Sequence, residues 1–339
     1  MQQILVTGGN GFLGQHLVKL LLEKYPALKV KIVDLKEQER PLYSFKQDPR
    51  VTYSVGKNIC DYDSISNEFK SIDVVIHLAG LVSFWRKDKD KLFSINVEGT
   101  KNVFRAAVEN KVGRFIHISS VAALGYSNDR SNPIDENFVF DWDIAKKYKK
   151  YYMLSKHLAD EHIIKESKGK IKLNIAYPGL MLGPGDGNNS VKLLNALKNR
   201  KLFLNPPGGT NVIDVRDVAA GLIAVLEKGQ DDEHYLLSGH NLTFIEQNKT
   251  ISAVLNVKSP AATLPSMAFY LLYPLVIGAE SLTSTPLQLT SDNLHSSFKF
   301  RYFDHSKAKR ELGWAPQISF NKTIEDTYKW MQENDLTER

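Results

Sequence analysis

The chain has 339 residues, 42% hydrophobic and 24% charged, with a formal net charge of +6 and a pI near 9.0. This excludes a disordered or fibrous chain and leaves room for one large or two modest domains with a real core. Cys60 is the only cysteine, so no internal disulfide is expected and a reducing compartment is. The lysines are spread along the chain and concentrate only between Lys146 and Lys172, beside Asp160, Glu161 and Glu166. No zinc, homeodomain or RNA-binding motif accompanies them, so no nucleic-acid partner and no metal site are expected.

Met1 runs into Ile4-Leu5-Val6 without a basic region before it, which argues against a signal peptide and for a cytoplasmic protein. Strand patterns fall at 3–7, 29–33, 51–54, 74–78, 115–119 and 173–177, and helical patterns at 13–24, 63–69, 96–110 and 147–166. This alternation predicts an α/β fold, a doubly wound parallel sheet with helices on both faces and its ligand site at the strand carboxyl ends. After Pro178, "GPGDG" (183–187) and "NPPGG" (205–209) read as loops, and 211–229 as a strand entering a helix with Asp217 as N-cap. The apolar stretch 267–279, interrupted by Pro274, is shorter than the roughly 20 residues a spanning helix needs and reads as a buried or pocket-lining helix. The expected division is a nucleotide-binding domain over 1–177, with 211–245 returning to it, and a smaller substrate-binding part over 178–210 and 246–339.

The opening "ILVTGGNGFLGQHLVKLLL" sets a strand, a glycine turn and an amphipathic helix in succession. Gly8, Gly11 and Gly14 fit G-x-x-G-x-x-G, and Gly9, Gly11 and Gly14 also fit G-x-G-x-x-G. Glycines there allow a tight turn, close approach of backbone to a pyrophosphate and close helix-on-strand packing, with the helix N-terminus receiving the anion. The second strand ends at Asp34, where a carboxylate accepts from ribose hydroxyls and repels a 2′-phosphate. NAD is therefore favoured over NADP, with Lys36 nearby as the counter-argument.

At this point the chain resembles the extended short-chain dehydrogenases/reductases, the NAD-dependent epimerase/dehydratase superfamily. The resemblance is carried in order by "TGGNGFLG", "DVVIHLAG" (73–80), "NVEGTKNV" (96–103), "FIHISSVAALG" (115–125), "YYMLSK" (151–156) and "GWAP" (313–316). It implies a Rossmann-type fold, a small-molecule substrate, no transmembrane segment and a homodimer as the family's common assembly. It also implies cofactor contacts at Gly8, Gly11, Phe12, Leu13 and Gly14, at Asp34, at Leu78, Ala79 and Gly80, and at Pro178, Gly179 and Leu180. Asn58-Ile59 stands where the family usually has an Asp and an apolar residue against the adenine.

The catalytic residues implied are Ser120, Tyr152 and Lys156. Tyrosine and lysine four apart share one helix face. A nearby ammonium and a positive nicotinamide would draw the phenol pKa down toward working pH, letting Tyr152 exchange the proton of an alcohol or ketone. Lys156 would also hold the nicotinamide ribose, and Ser120, preferred to Ser119, would position the reacting oxygen. Tyr151 has only Ser155 four residues on and reads as packing. Asn96 is expected to bond backbone near this helix, and His77 to be a strand residue without a catalytic part.

Val121-Ala122 follow Ser120, so the acidic pair of the sugar-nucleotide dehydratases is missing. Tyr177 replaces an arginine common in sugar-nucleotide members, and Arg301 is displaced from the place of a diphosphate-gripping arginine. Val82, Phe84 and Trp85, with Phe203 from the later part, suggest an apolar pocket. The pattern looks most like the dihydroflavonol-reductase and 3β-hydroxysteroid-dehydrogenase branch, which implies alcohol–ketone interconversion on a hydrophobic substrate. A sugar-nucleotide 4-epimerase is the alternative, and a non-catalytic NAD-binding regulator the third reading.

Overall fold

Seven short apolar runs pair in parallel as the central sheet of the computed structural model, which describes residues 1–37, 41–127 and 129–337. They are β1 (Gln3–Thr7), β2 (Lys29–Asp34), β3 (Val51–Val55), β4 (Val74–His77), β5 (Arg114–Ile118), β6 (Lys172–Pro178) and β7 (Glu233–Leu237). Their spatial order is β7-β6-β5-β4-β1-β2-β3. Strands covered on both faces need unbroken apolar runs, and Ile4, Leu5 and Val6 are all fully buried.

Helices α1 (Phe12–Lys24), α2 (Thr100–Glu109), α3 (Tyr151–Ser167) and α4 (Val215–Lys228) supply the cover. One face is packed by Leu17 and Leu21 of α1 with Val218 and Leu222 of α4. The other is packed by Val103 and Phe104 of α2 with Ile163 of α3. The strand order reverses between β1 and β4, which opens a crevice at their carboxyl ends.

A second sheet is centred on the strand Gly209–Asp214, which pairs with His240–Thr243, Leu180–Leu182 and Phe300–Arg301. The stretch 211–245 is therefore split, contrary to the expectation that all of it returns to the first domain. Its helix and β7 join the central layer, while its two other strands belong to the second sheet.

Three local expectations are corrected. The helix expected over 147–166 starts late: a separate helix Trp142–Lys147 ends before Lys149, which sits at φ 51, and α3 begins only at Tyr151. The N-cap of α4 is Asp214, which accepts from Arg216 N, whereas Asp217 in the first turn accepts from Gln317 N and Ile318 N and pins the C-terminal segment. The apolar stretch 267–279 lies in α5 (Ala268–Leu282), yet Tyr270, Leu271 and Leu275 face solvent instead of lining a pocket. Beyond it, α6 (Ser291–Ser297) packs on α5.

Candidate active site

The glycine turn leaves β1 and folds tightly back on itself. Gly8 N donates to Val33 O and Gly11 N to Gly8 O, both at 2.9 Å. Gly8 sits at φ +70, where a Cβ would meet Ala79 N at 2.8 Å. A Cβ on Gly14 would lie 2.5 Å from Gly8 O. Gly11 caps α1 without any side-chain bond, so no capping side chain occupies the first N–H groups of the helix. This is a backbone cradle of the kind a dinucleotide pyrophosphate requires, and the residues fit that group. Phe12 and Leu13 begin α1, Phe12 half-buried and Leu13 packed in the core.

Asp34 ends β2 beside the turn, where its carboxylate accepts from Asn10 N at 3.1 Å and Leu35 N at 2.8 Å. Burial raises its pKa, and these backbone bonds oppose the rise. Asn58 follows β3 with its side-chain oxygen accepting from Cys60 N, while Ile59 is buried against Gly99. Leu78, Ala79 and Gly80 follow β4, with Leu78 N donating to Thr7 O and Ala79 N to Thr7 Oγ1. Pro178 ends β6, and Gly179 is pressed so closely on Asn211 that a Cβ would overlap its side-chain amide. Leu180 then begins a strand of the second sheet.

Tyr152 lies in the first turn of α3, 9% exposed, with Ser120 near enough for its hydroxyl to draw the phenol pKa down. Ser120 sits just past β5 at φ −162 and also accepts from Ala122 N at 3.2 Å. Ser119 turns the other way and donates to Asp160 Oδ2 at 2.7 Å. The structure thus brings Ser120, not Ser119, to Tyr152. Lys156, one turn further along α3, is buried and donates to Ile118 O at 2.9 Å.

The electrostatics differ from the sequence expectation in one respect. Burial raises the Tyr152 phenol, Ser120 offsets part of the rise, and Asp160 adds to it. Lys156 is not among the groups that shift it, and burial brings Lys156 itself down to about 8 despite the opposing pull of Asp160. Asp160 in turn is raised by burial to about 6. A nicotinamide cation would add the remaining downward pull on the phenol.

Asp160 is a residue that sequence reasoning missed, although its spacing of four from Lys156 could have flagged it. His77 is locked between Thr7 Oγ1 at 2.6 Å and Thr100 Oγ1 at 3.1 Å and stacks on His117, whose Nε2 is 3.3 Å from Asp160. Both histidines are held far below their ordinary pKa by burial, so they are neutral. Lys150 was missed as well, and no spacing could have found it. It is 1% exposed and donates to Asp292 Oδ1 of α6 at 2.6 Å, fixing the start of α3.

The narrow space beside Tyr152 is lined by Phe84, Trp85, Tyr151, Lys149 and Asp292. Phe84 meets the Tyr152 ring edge-to-face at 5.5 Å. Val82 is 53% exposed. Phe203, expected in the pocket, is 77% exposed instead, because its loop leads into the outlying strand pair Leu204–Asn205 and Ala262–Thr263.

The 3-beta hydroxysteroid dehydrogenase/isomerase family profile matches residues 5–241. The chain belongs to this family. Among relatives of this 3-beta hydroxysteroid dehydrogenase/isomerase member, sterol-4-alpha-carboxylate 3-dehydrogenase, decarboxylating, of Mus musculus is 26% identical, covering 95% of this chain and 89% of the mouse protein. Sterol demethylase protein B of Methylococcus capsulatus is 24% identical, covering 98% of this chain and 99% of its own. The dTDP-glucose 4,6-dehydratase of Bacillus anthracis, solved with NAD, shares the fold at a TM-score of 0.77 and 18% identity, over 99% of both chains. The family is one of dehydrogenases and reductases, built on the fold of the NAD-dependent epimerases and dehydratases.

Proposed function

We propose that this protein is an NAD(H)-dependent oxidoreductase interconverting a secondary alcohol and a ketone on a hydrophobic, polycyclic substrate. The observation that carries the proposal is the surroundings of Tyr152: Ser120 draws its phenol pKa down, Lys156 lies one turn further along the same helix, and Phe84 packs edge-to-face on its ring. Two relatives named for sterol chemistry support the substrate class.

NAD held on the glycine turn would supply the hydride acceptor for oxidation, and its reduced form the donor for the reverse. Gly8, Gly11 and Gly14 would let backbone approach the pyrophosphate, Asp34 would accept from the adenosine ribose, and the Leu78–Gly80 and Pro178–Leu180 segments would hold the rest of the dinucleotide. Tyr152 Oη takes the alcohol proton in oxidation and returns it to the carbonyl oxygen in reduction. Ser120 Oγ donates to that same oxygen and holds it near the phenol. Lys156 would hold the nicotinamide ribose hydroxyls.

A second reading, sugar-nucleotide 4-epimerisation, is favoured by Arg301, whose buried Nε has no hydrogen-bond partner among the described residues. One experiment separates the two. Steady NADH release from NAD and a sterol or flavanonol alcohol panel is the expected result. Tightly retained NAD with inversion of a UDP-sugar and no net NADH would replace this reading with the second.

A further inference from the structure

Three consecutive residues at the end of β5 meet three successive turns of α3. Ser120 acts on the phenol of Tyr152, Ile118 O accepts from Lys156 Nζ at 2.9 Å, and Ser119 Oγ donates to Asp160 Oδ2 at 2.7 Å. Positions 152, 156 and 160 are four apart, so they share one helix face. The chemistry proposed above uses the first two and leaves Asp160, 3% exposed, without a task.

Hydrogen bonding does not account for Asp160. Its Oδ1 is buried and has no hydrogen-bond partner among the described residues. Both ring nitrogens of fully buried His117 are in the same condition, although Nε2 lies 3.3 Å from that oxygen. A buried carboxylate with one oxygen unsatisfied costs stability, and a region that needs only packing does better without it. An oxygen that no donor claims leaves its charge free to act on the surroundings.

Those surroundings hold a cation in need of balance. Burial works against the Lys156 ammonium, and the carboxylate whose charge opposes that effect is Asp160. His77 of β4 and His117 of β5 also face Lys156, and both are neutral. Tyr177 of β6 and His234 of β7 face Asp160, as does His157 on α3 itself. Tyr152 completes the set. Asp160 is the only carboxylate among these groups.

We propose that Asp160 is a positioning residue, the fixed counter-charge that keeps Lys156 an ammonium, with Ser119 holding it in place. An ammonium has three protons to donate: one goes to Ile118 O, and two remain for the ribose hydroxyls. Charged donors also make the stronger bonds. The inference rests on Lys156 meeting the nicotinamide ribose, and not on which alcohol is oxidised. Between about 6 and about 8 both members of the pair are charged. Removing the carboxylate takes away what opposes proton release from Lys156, so release moves to lower pH.

The test is NAD affinity, measured by titration calorimetry from about pH 6 to about pH 9. Wild-type affinity is expected to fall as pH rises through about 8, where Lys156 loses its proton. Asp160→Asn keeps the side-chain size and an oxygen for Ser119, and should move the midpoint of that fall down by roughly one pH unit. Ser119→Ala removes the hydrogen bond and keeps the charge, so its midpoint should stay near the wild-type value. An Asp160→Asn midpoint equal to that of wild type overturns the proposal, however much stability the variant has lost.

The coupling is also read from the other side, without NAD. Lys156→Met removes the cation, so the Asp160 proton, lost from the folded wild type near pH 6, should persist to higher pH in urea unfolding. Loss at an unchanged pH overturns the proposal as well. Wild type that binds no NAD at any pH refutes the cofactor reading alone, because the Lys156→Met comparison still decides the coupling.

Discussion

The side-chain amide of Asn96 donates to Ser155 Oγ at 3.0 Å, within the helix that carries Tyr152 and Lys156. The same amide donates to Leu81 O at 2.9 Å, and its oxygen accepts from Leu81 N at 2.8 Å. Ser155 Oγ closes the chain by donating to Tyr152 O at 2.8 Å. Asn96 lies in a π-helical stretch, Phe93–Gly99, a local widening often found at functional sites. One buried side chain therefore joins the pocket loop to the proposed catalytic helix. Asn96→Ala leaves the Leu81 backbone groups and Ser155 without these partners. We expect a loss of about 1–3 kcal/mol in urea unfolding, with kcat falling more than cofactor affinity. Unchanged stability would contradict this bridging role.

Gly14 tests the cradle. A methyl there meets the carbonyl oxygens of Gly8 and Gly9 at 2.5 and 2.6 Å, and both belong to backbone that cannot swing aside. Gly14→Ala should raise the NAD dissociation constant at least about tenfold and lower the melting temperature. Tight binding measured by titration calorimetry would show that the turn does not hold the dinucleotide.

Asp34 tests cofactor choice. Its carboxylate is fixed at the end of β2 by Asn10 N and Leu35 N. Asp34→Ser removes the charge opposed to a 2′-phosphate, so the ratio of NADP to NAD in kcat/KM should rise by roughly tenfold. A ratio that does not move would place the ribose elsewhere.

Asp160 gives a pH signature. Burial raises this carboxyl from an ordinary 3.8 to about 6 in the folded chain. Between those values the folded state keeps a proton that the unfolded state releases, so its stabilising contribution is present at low pH and lost as pH rises through about 6. Asp160→Asn removes that dependence. Unfolding of both proteins from pH 4 to 6 should show the variant gaining stability relative to wild type as pH rises. A relative loss would contradict the raised carboxyl.

Much of the central layer was legible in sequence because its cause is local. Unbroken apolar runs at Ile4–Val6 and Val74–Ile76 signal strands buried on both faces, and the glycine spacing signals the turn between β1 and α1. What escaped depended on partners distant in sequence. The helix start at Tyr151 is set by Lys150 reaching Asp292, 142 residues away. The raised Tyr152 phenol follows from burial, which spacing does not report. The 267–279 stretch was recognisable as an apolar helix, but composition alone cannot say which side of such a helix meets the protein.

The account rests on Tyr152 as the group that moves the proton. The direct measurement pairs NAD affinity with NADH production for wild type and Tyr152→Phe, using an alcohol the wild type oxidises. We expect NAD affinity to be retained and turnover to fall by about 10²–10⁴-fold. Turnover at the wild-type rate in the phenylalanine variant would contradict the account.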